Sequence, residues 1–103
     1  MLAFSLPDGR FHDILDDEAS FIDGASAMMA SASVYRGIKD GFLPETYRAF
    51  PGRVSETMES CIDPYGIIHG VAGCPDFLEE GTSAESMAAY LMMHAWREKA
   101  GMR

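Results

Sequence analysis

Basic side chains are scarce in this sequence. Eight Lys and Arg stand against sixteen Asp and Glu, for a formal net charge of −8. That balance argues against nucleic acid, which needs a basic face to neutralise phosphates, and against anionic membrane surfaces. Cysteine is scarce as well. Cys61 and Cys74 are too few and too far apart for a zinc signature. Two reduced thiols in a cytoplasmic protein are expected instead. No apolar stretch reaches the ~20 residues that span a bilayer. The opening MLAFSLPDGR has no basic run ahead of its short apolar segment, so no signal peptide is expected. Gly70-Val71-Ala72-Gly73 lacks the lysine and spacing of a phosphate loop and reads as a tight loop.

What is present suits one small globular domain. The chain has 103 residues, 48% hydrophobic and 23% charged, which is neither a disordered composition nor a large core. A turn at Pro7-Asp8-Gly9 leads into a short extended piece near residues 11–15 and a solvated loop over 16–20. A helix is expected over 25–40, capped by Asp23 and ended by Gly41. Its small and apolar residues form two rows, Ala27-Ala30-Val34-Ile38 and Ala25-Met28-Met29-Ala32, so most of its circumference should be buried. A second helix is expected over 44–62 with one stripe, Tyr47, Phe50, Val54, Met58 and Cys61. Pro51-Gly52 should kink or interrupt it. A third helix opens at a capping box, Thr82 to Glu85, and is apolar nearly all round until Arg97. Its methionines read as core and not as a soft-metal or promiscuous binding surface.

The opening pattern recurs 57 residues later. Pro7, Gly9, His12, Gly24, Ser26 and Ala27 fall on Pro64, Gly66, His69, Gly81, Ser83 and Ala84. Each unit reads as turn, extended piece, polar loop, Gly-x-Ser-Ala and buried helix. A period of this length implies stacked helical hairpins in two layers. The expected fold is all-α: a single helical domain over 1–103, a partial (α/α)6 toroid of about three helices. Its units span about 7–62 and 64–101, one and a half hairpins. Both loops should then open at one end, where helix dipoles favour anionic ligands.

With the repeat in hand, four stretches in order resemble the C-terminal part of glycoside hydrolase families 88 and 105, the unsaturated glucuronyl and rhamnogalacturonyl hydrolases. They are PDGRFHDILDD, SFIDGASAMMASASVYRGIKDGFL, DPYGIIHGVAG and PDFLEEGTSAESMAAYLMM. The resemblance implies an (α/α)6 barrel and an oligosaccharide ending in an unsaturated uronic acid. It implies an aspartate acid/base that hydrates the sugar double bond, with no metal or organic cofactor. The family's catalytic aspartates, and its Trp-Ala-Arg-Gly-type segment, lie upstream of the matched region and do not occur here. Phe11 stands where relatives often carry tryptophan, and Asp23 where they often carry glutamate. No catalytic residue is therefore assigned, and a fragment or truncated gene product, inactive alone, is expected. The other reading is a non-catalytic helical module for an acidic sugar or a protein. A partial ring would leave inner helices without neighbours, so homo-oligomers through exposed apolar faces are expected, most simply a two-fold dimer.

Each candidate site residue has a plainer explanation beside it. Asp13, Asp16, Asp17 and Glu18 suit an acid/base pair or, less well, a calcium loop, but also a solvated loop. His12 and His69 suit substrate hydroxyls, or packing with a bond to backbone. His94 reads as a satisfied structural histidine. Ser26 lacks a His/Asp relay and reads as a small packing residue. In a complete relative, Asp76, Phe77, Thr82 and Ser83 are the preferred substrate-proximal set. Phe77 would stack on a sugar, and the hydroxyls and backbone N–H groups would receive a carboxylate. His12, Asp13 and His69 complete the candidates.

Overall fold

The computed structural model describes residues 2–74 and 76–101. A 3-10 turn at Leu2–Phe4 precedes β1 (Phe11–His12) and β2 (Ile22–Asp23), which feed α1 (Gly24–Lys39). A second 3-10 turn, Glu45–Arg48, runs into α2 (Ala49–Ser60). Then β3 (Val71–Ala72) and β4 (Glu80–Gly81) feed α3 (Ala84–Gly101). The two sheets are separate antiparallel pairs, Phe11 opposite Asp23 and Val71 opposite Gly81. The molecule is mostly helical, with two small hairpins among its loops. Among the described residues no helix is long and apolar enough to cross a membrane.

α1 forms where its caps place it. The Asp23 carboxylate accepts from the Ala25 amide, and Gly41 takes φ +84° just past the C-cap Asp40, a conformation that favours glycine. α1 packs chiefly on α3 and also on α2, whereas α2 and α3 barely meet. α1 is thus the central helix, and Ala25, Ala27, Met28, Ser31, Ala32, Val34, Tyr35 and Ile38 are all buried along it. Against it lie Phe50, Val54 and Met58 of α2 and Ala89 and Met93 of α3, with Phe11, Ile68 and Val71 closing the loop end.

α2 departs from its expected start. Residues 45–48 are 3-10, and α2 begins only at Ala49, so the interruption falls ahead of Pro51 and not at it. Pro51 then lies in the first turn of α2, where a missing N–H is cheapest. Tyr47, on the 3-10 turn, leaves the expected stripe and is largely exposed.

α3 departs more. The cap is Ser83, whose Oγ accepts from the Ser86 amide at 3.1 Å, one position after the expected Thr82. The helix is not apolar-buried all round. Only Ser86, Ala89, Met93 and Ala100 are buried, while Leu91 and Met92 are 63% and 55% exposed. α3 packs chiefly on α1 and only slightly on α2, which leaves Leu91 and Met92 uncovered among the described residues. His94 is likewise exposed, 3.8 Å from Glu98 and stacked on Tyr90 at 6.4 Å, and is not a buried structural histidine.

The spacing of the two units drifts along their length. α1 opens at Gly24 and α3 at Ala84, and β1 opens at Phe11 and β3 at Val71, each 60 positions apart. The turn ahead of each keeps the expected 57: Leu6 and Asp63 donate to Arg10 and Ile67, Gly9 and Gly66 both take positive φ, and Phe11 and Ile68 are both fully buried, so His12 and His69 follow equivalent positions. His12 lies within β1, whereas His69 precedes β3.

Candidate functional site

The N-termini of α1 and α3 come together at the loop end. Between them is a cavity of about 280 Å³, walled by Asp23, Ser26 and Met29 from one helix start and Ser83, Glu85 and Ser86 from the other. Phe77 and Ala72 form its remaining side. The parallel course of α1 and α3 makes this possible, since their far ends also meet, with Arg36 5.2 Å from the Trp96 ring.

Asp23 holds the site together. Its Oδ1 accepts from the Ala25 amide at 2.9 Å, capping α1, and from the Ala72 amide at 2.9 Å, fastening β3 to the start of α1. Beside it the Gly24 amide donates to Gly70 O at 2.7 Å. A side chain at position 24 would collide with Met58 and press on that same carbonyl. Ser26 Oγ donates to Asp23 O at 3.3 Å, which fits a small local packing residue. Across the cavity the Ser83 and Ser86 hydroxyls share a hydrogen bond of 2.7 Å.

Phe77 sits on a distorted backbone. Its φ is +60°, among the described residues the one non-glycine in the left-handed region, where an aromatic residue is strained by about 1–2 kcal/mol. The Phe77 amide donates to Gly73 O at 2.8 Å, and the Leu78 amide to Asp76 Oδ1 at 3.1 Å, which together fix the turn. Strain of this kind persists where the surroundings over-determine it, and here it places the ring at the cavity wall.

Of the residues singled out from sequence, Phe77 and Ser83 meet at this cavity. Asp76 is engaged in its own turn. Thr82 is half-buried, and its carbonyl accepts from the Cys74 amide at 3.0 Å. His12 lies elsewhere, with Nδ1 2.9 Å from Ser20 O, in a depression shared with Leu6, Leu15 and Asp16. Its bond to backbone is the plainer of its two readings. Asp13 is exposed on the loop that follows. His69 is exposed and lies 2.8 Å from Asp63 Oδ2, a side chain and not a backbone group. The His69 hydrogen bond, with backbone donors from Ile67 and Tyr65, holds the Asp63 carboxyl below its ordinary range. Asp16, Asp17 and Glu18 are exposed, and Asp17 Oδ1 accepts from the Ala19 amide in a local turn. Among the described residues no three acidic, His or Cys groups converge as a metal site.

Sequence reasoning took Asp23 only as a helix cap and Glu85 only as part of a capping box. The first helix start carried a signal for Asp23, but nothing local announces Ala72, 49 residues away, as its second donor.

The charge of this end is one-sided. From Asp8 to Asp23, and again from Asp63 to Glu85, every Asp, Glu, Lys or Arg is acidic except Arg10. Arg10 is spent on Asp8, with contacts of 3.0 and 2.8 Å. Burial works to raise the Asp8 carboxyl, but its bonds to Arg10 and the guanidinium charge outweigh that and hold it below the ordinary carboxylate range. Among the described residues the other Lys and Arg fall at 36–53 and 97–99, towards the opposite ends of α1 and α3. Each helix N-terminus contributes roughly half a positive charge. Asp23 and Glu85 stand on the cavity walls between those two N-termini.

No family model matches the sequence, and no curated protein matches it. Among solved structures, the chain is similar to a possible member of the GH105 family from Salmonella enterica serovar Paratyphi A. The TM-score is 0.69 at 14% sequence identity, covering 94% of this chain. The chain spans about 29% of the length of that protein. At this identity the likeness is one of fold: the three helices and their hairpins follow the path of part of a GH105-like structure.

Proposed function

We propose that this chain forms one wall of a sugar pocket in a glycoside hydrolase-like α/α ring and has no acid/base of its own. The observation that carries the reading is the structural match over 94% of the chain to a possible GH105 member. The cavity between the α1 and α3 starts, with an aromatic wall and hydroxyls at its rim, supports it. On this reading the chain is a single helical domain, a partial toroid with units at about 7–62 and 64–101. It works in the cytoplasm, without metal or organic cofactor. The ring's substrate is an oligosaccharide ending in an unsaturated uronic acid, hydrated by an aspartate that this chain does not supply.

The pure chain mixed with an unsaturated uronyl disaccharide is therefore expected to leave the ultraviolet absorbance of the double bond unchanged. Sustained loss of that absorbance would show that a catalytic acid is present after all.

The uncovered face of the inner helices has its own consequence. Met29, Leu91 and Met92 are each more than half exposed on α1 and α3. The chain is expected to pair through this face, because apolar area left in water is gained back on association. Light scattering over a dilution series should report a mass above the monomer at micromolar concentration, reduced by Leu91→Glu. A folded monomer throughout would remove the proposal.

A further inference from the structure

We propose that the cleft between the first turn of α2 and the last turns of α3 binds a small molecule bearing an oxyanion, a carboxylate or a phosphate, received by Tyr35, Arg48 and Arg97. The cleft lies away from the α1 and α3 starts and is independent of the sugar-wall reading.

The cleft follows from the helix packing. α2 and α3 each lie on α1 but barely meet, and between them is a cavity of about 620 Å³ with Tyr35 of α1 on its wall. That volume suits a small organic ligand. Gly52 and Gly101 line it too, and a Cβ added at either would meet nothing within 4 Å.

Tyr35 is 2% exposed, yet its hydroxyl has no hydrogen-bond partner among the described residues. A buried phenol normally finds one. No unbonded side-chain oxygen or nitrogen is sealed inside the described fold, so this hydroxyl opens onto the cleft that Tyr35 lines.

Two guanidinium groups stand on the same walls. Arg48 holds Glu45 through Nε and Nη2, at 2.8 and 3.1 Å, and reaches across to Ala100 O at 3.4 Å. Its Nη1 has no acceptor among the described residues. Arg97 reaches the other way, from α3 to Glu59 of α2, with Nη1 at 3.4 Å. Both of those side chains are about half exposed, and so long a pair at the surface is worth little. The Arg97 Nε and Nη2 are left for a ligand. Among the described lining residues Glu98 alone is acidic, and it is exposed and 3.8 Å from His94. Guanidinium forks match carboxylate and phosphate, and a phenol O–H adds a neutral donor. Three side chains with unused donors border one space, and an oxyanion is the acceptor that satisfies all of them.

The test is an amide-resolved NMR titration of the whole chain at neutral pH and low salt. Its probes are glucose phosphate, glucuronate and glucose, which share a ring and differ in charge. The Gly52, Glu98 and Gly101 amides should move with the charged sugars at about tenfold lower concentration than with glucose, the effect of a hydrogen bond to a charged group. Whichever charged sugar moves them first identifies the oxyanion as phosphate or carboxylate. Tyr35→Phe removes only the unbonded hydroxyl, so urea unfolding should show no loss of stability while the charged sugars bind about tenfold more weakly. Gly52→Leu grows into open space and replaces a poor helix former, so it should fold and lose the response. Glucose moving these amides as readily as the charged sugars would overturn the proposal. So would silence from all three, shifts unchanged in both variants, or a Tyr35→Phe chain that is clearly less stable, since its hydroxyl would then already have a partner.

Discussion

Phe11→Ala is expected to destabilise the chain by about 3–5 kcal/mol, the range for removing a fully buried aromatic. Phe11 is 0% exposed, and its ring lies 5.8 Å from that of Phe50, tilted by 44°. The pair joins the first hairpin to α2, and tilted aromatic contacts add to the area they bury. The position matters further because β1 has only two residues, and Phe11 is the one opposite Asp23. Loosening it frees the strand that presents the cap. A domain of this size has about 5–15 kcal/mol in total, so the variant should be partly unfolded at moderate temperature. Phe11→Leu keeps most of the volume and should cost far less. Urea unfolding of the three proteins checks this. A Phe11→Ala midpoint close to that of the parent would mean that the first hairpin is not anchored to the core.

Asp23→Ala is expected to cost about 2–4 kcal/mol. Losing an N-cap side chain accounts for about 1 kcal/mol. The buried Ala72 amide, deprived of its acceptor, adds about 1–3 kcal/mol. Asp23→Asn retains a carbonyl oxygen able to accept from both amides, so it should lie within about 1 kcal/mol of the parent. The split between the variants separates a hydrogen-bonding role from a purely electrostatic one. Hydrogen exchange gives a local readout: the Ala72 amide should exchange much faster in Asp23→Ala and little faster in Asp23→Asn. Equal destabilisation by both substitutions would refute the two-amide account.

The features that were legible beforehand are those written within a few residues. Asp23 and Gly41 bracket α1 because a cap accepts from amides next to it and a left-handed glycine ends a helix on the spot. The short extended piece at Phe11 and the loop at 16–20 followed from turn chemistry. Buried Met28, Met58 and Met93 followed from helical spacing. The site was only half legible. Phe77 and Ser83 line the cavity, but His12 and His69 do not, because each bonds a neighbour of its own loop, Ser20 O and Asp63 Oδ2.

The sequence by itself determined three helices, their order and the cap and stop of α1, a surplus of carboxylates in the loops, and a resemblance strong enough to name a fold. Only the tertiary structure decided which apolar faces are covered and which charged groups share one cavity. The reason is range. Helix propensity and capping act over one turn, whereas the exposure of Leu91 and the second bond of Asp23 depend on neighbours that sequence spacing does not specify. Two helix starts of modest positive character came to share one cavity only when the fold set Asp23 and Glu85 on the same walls.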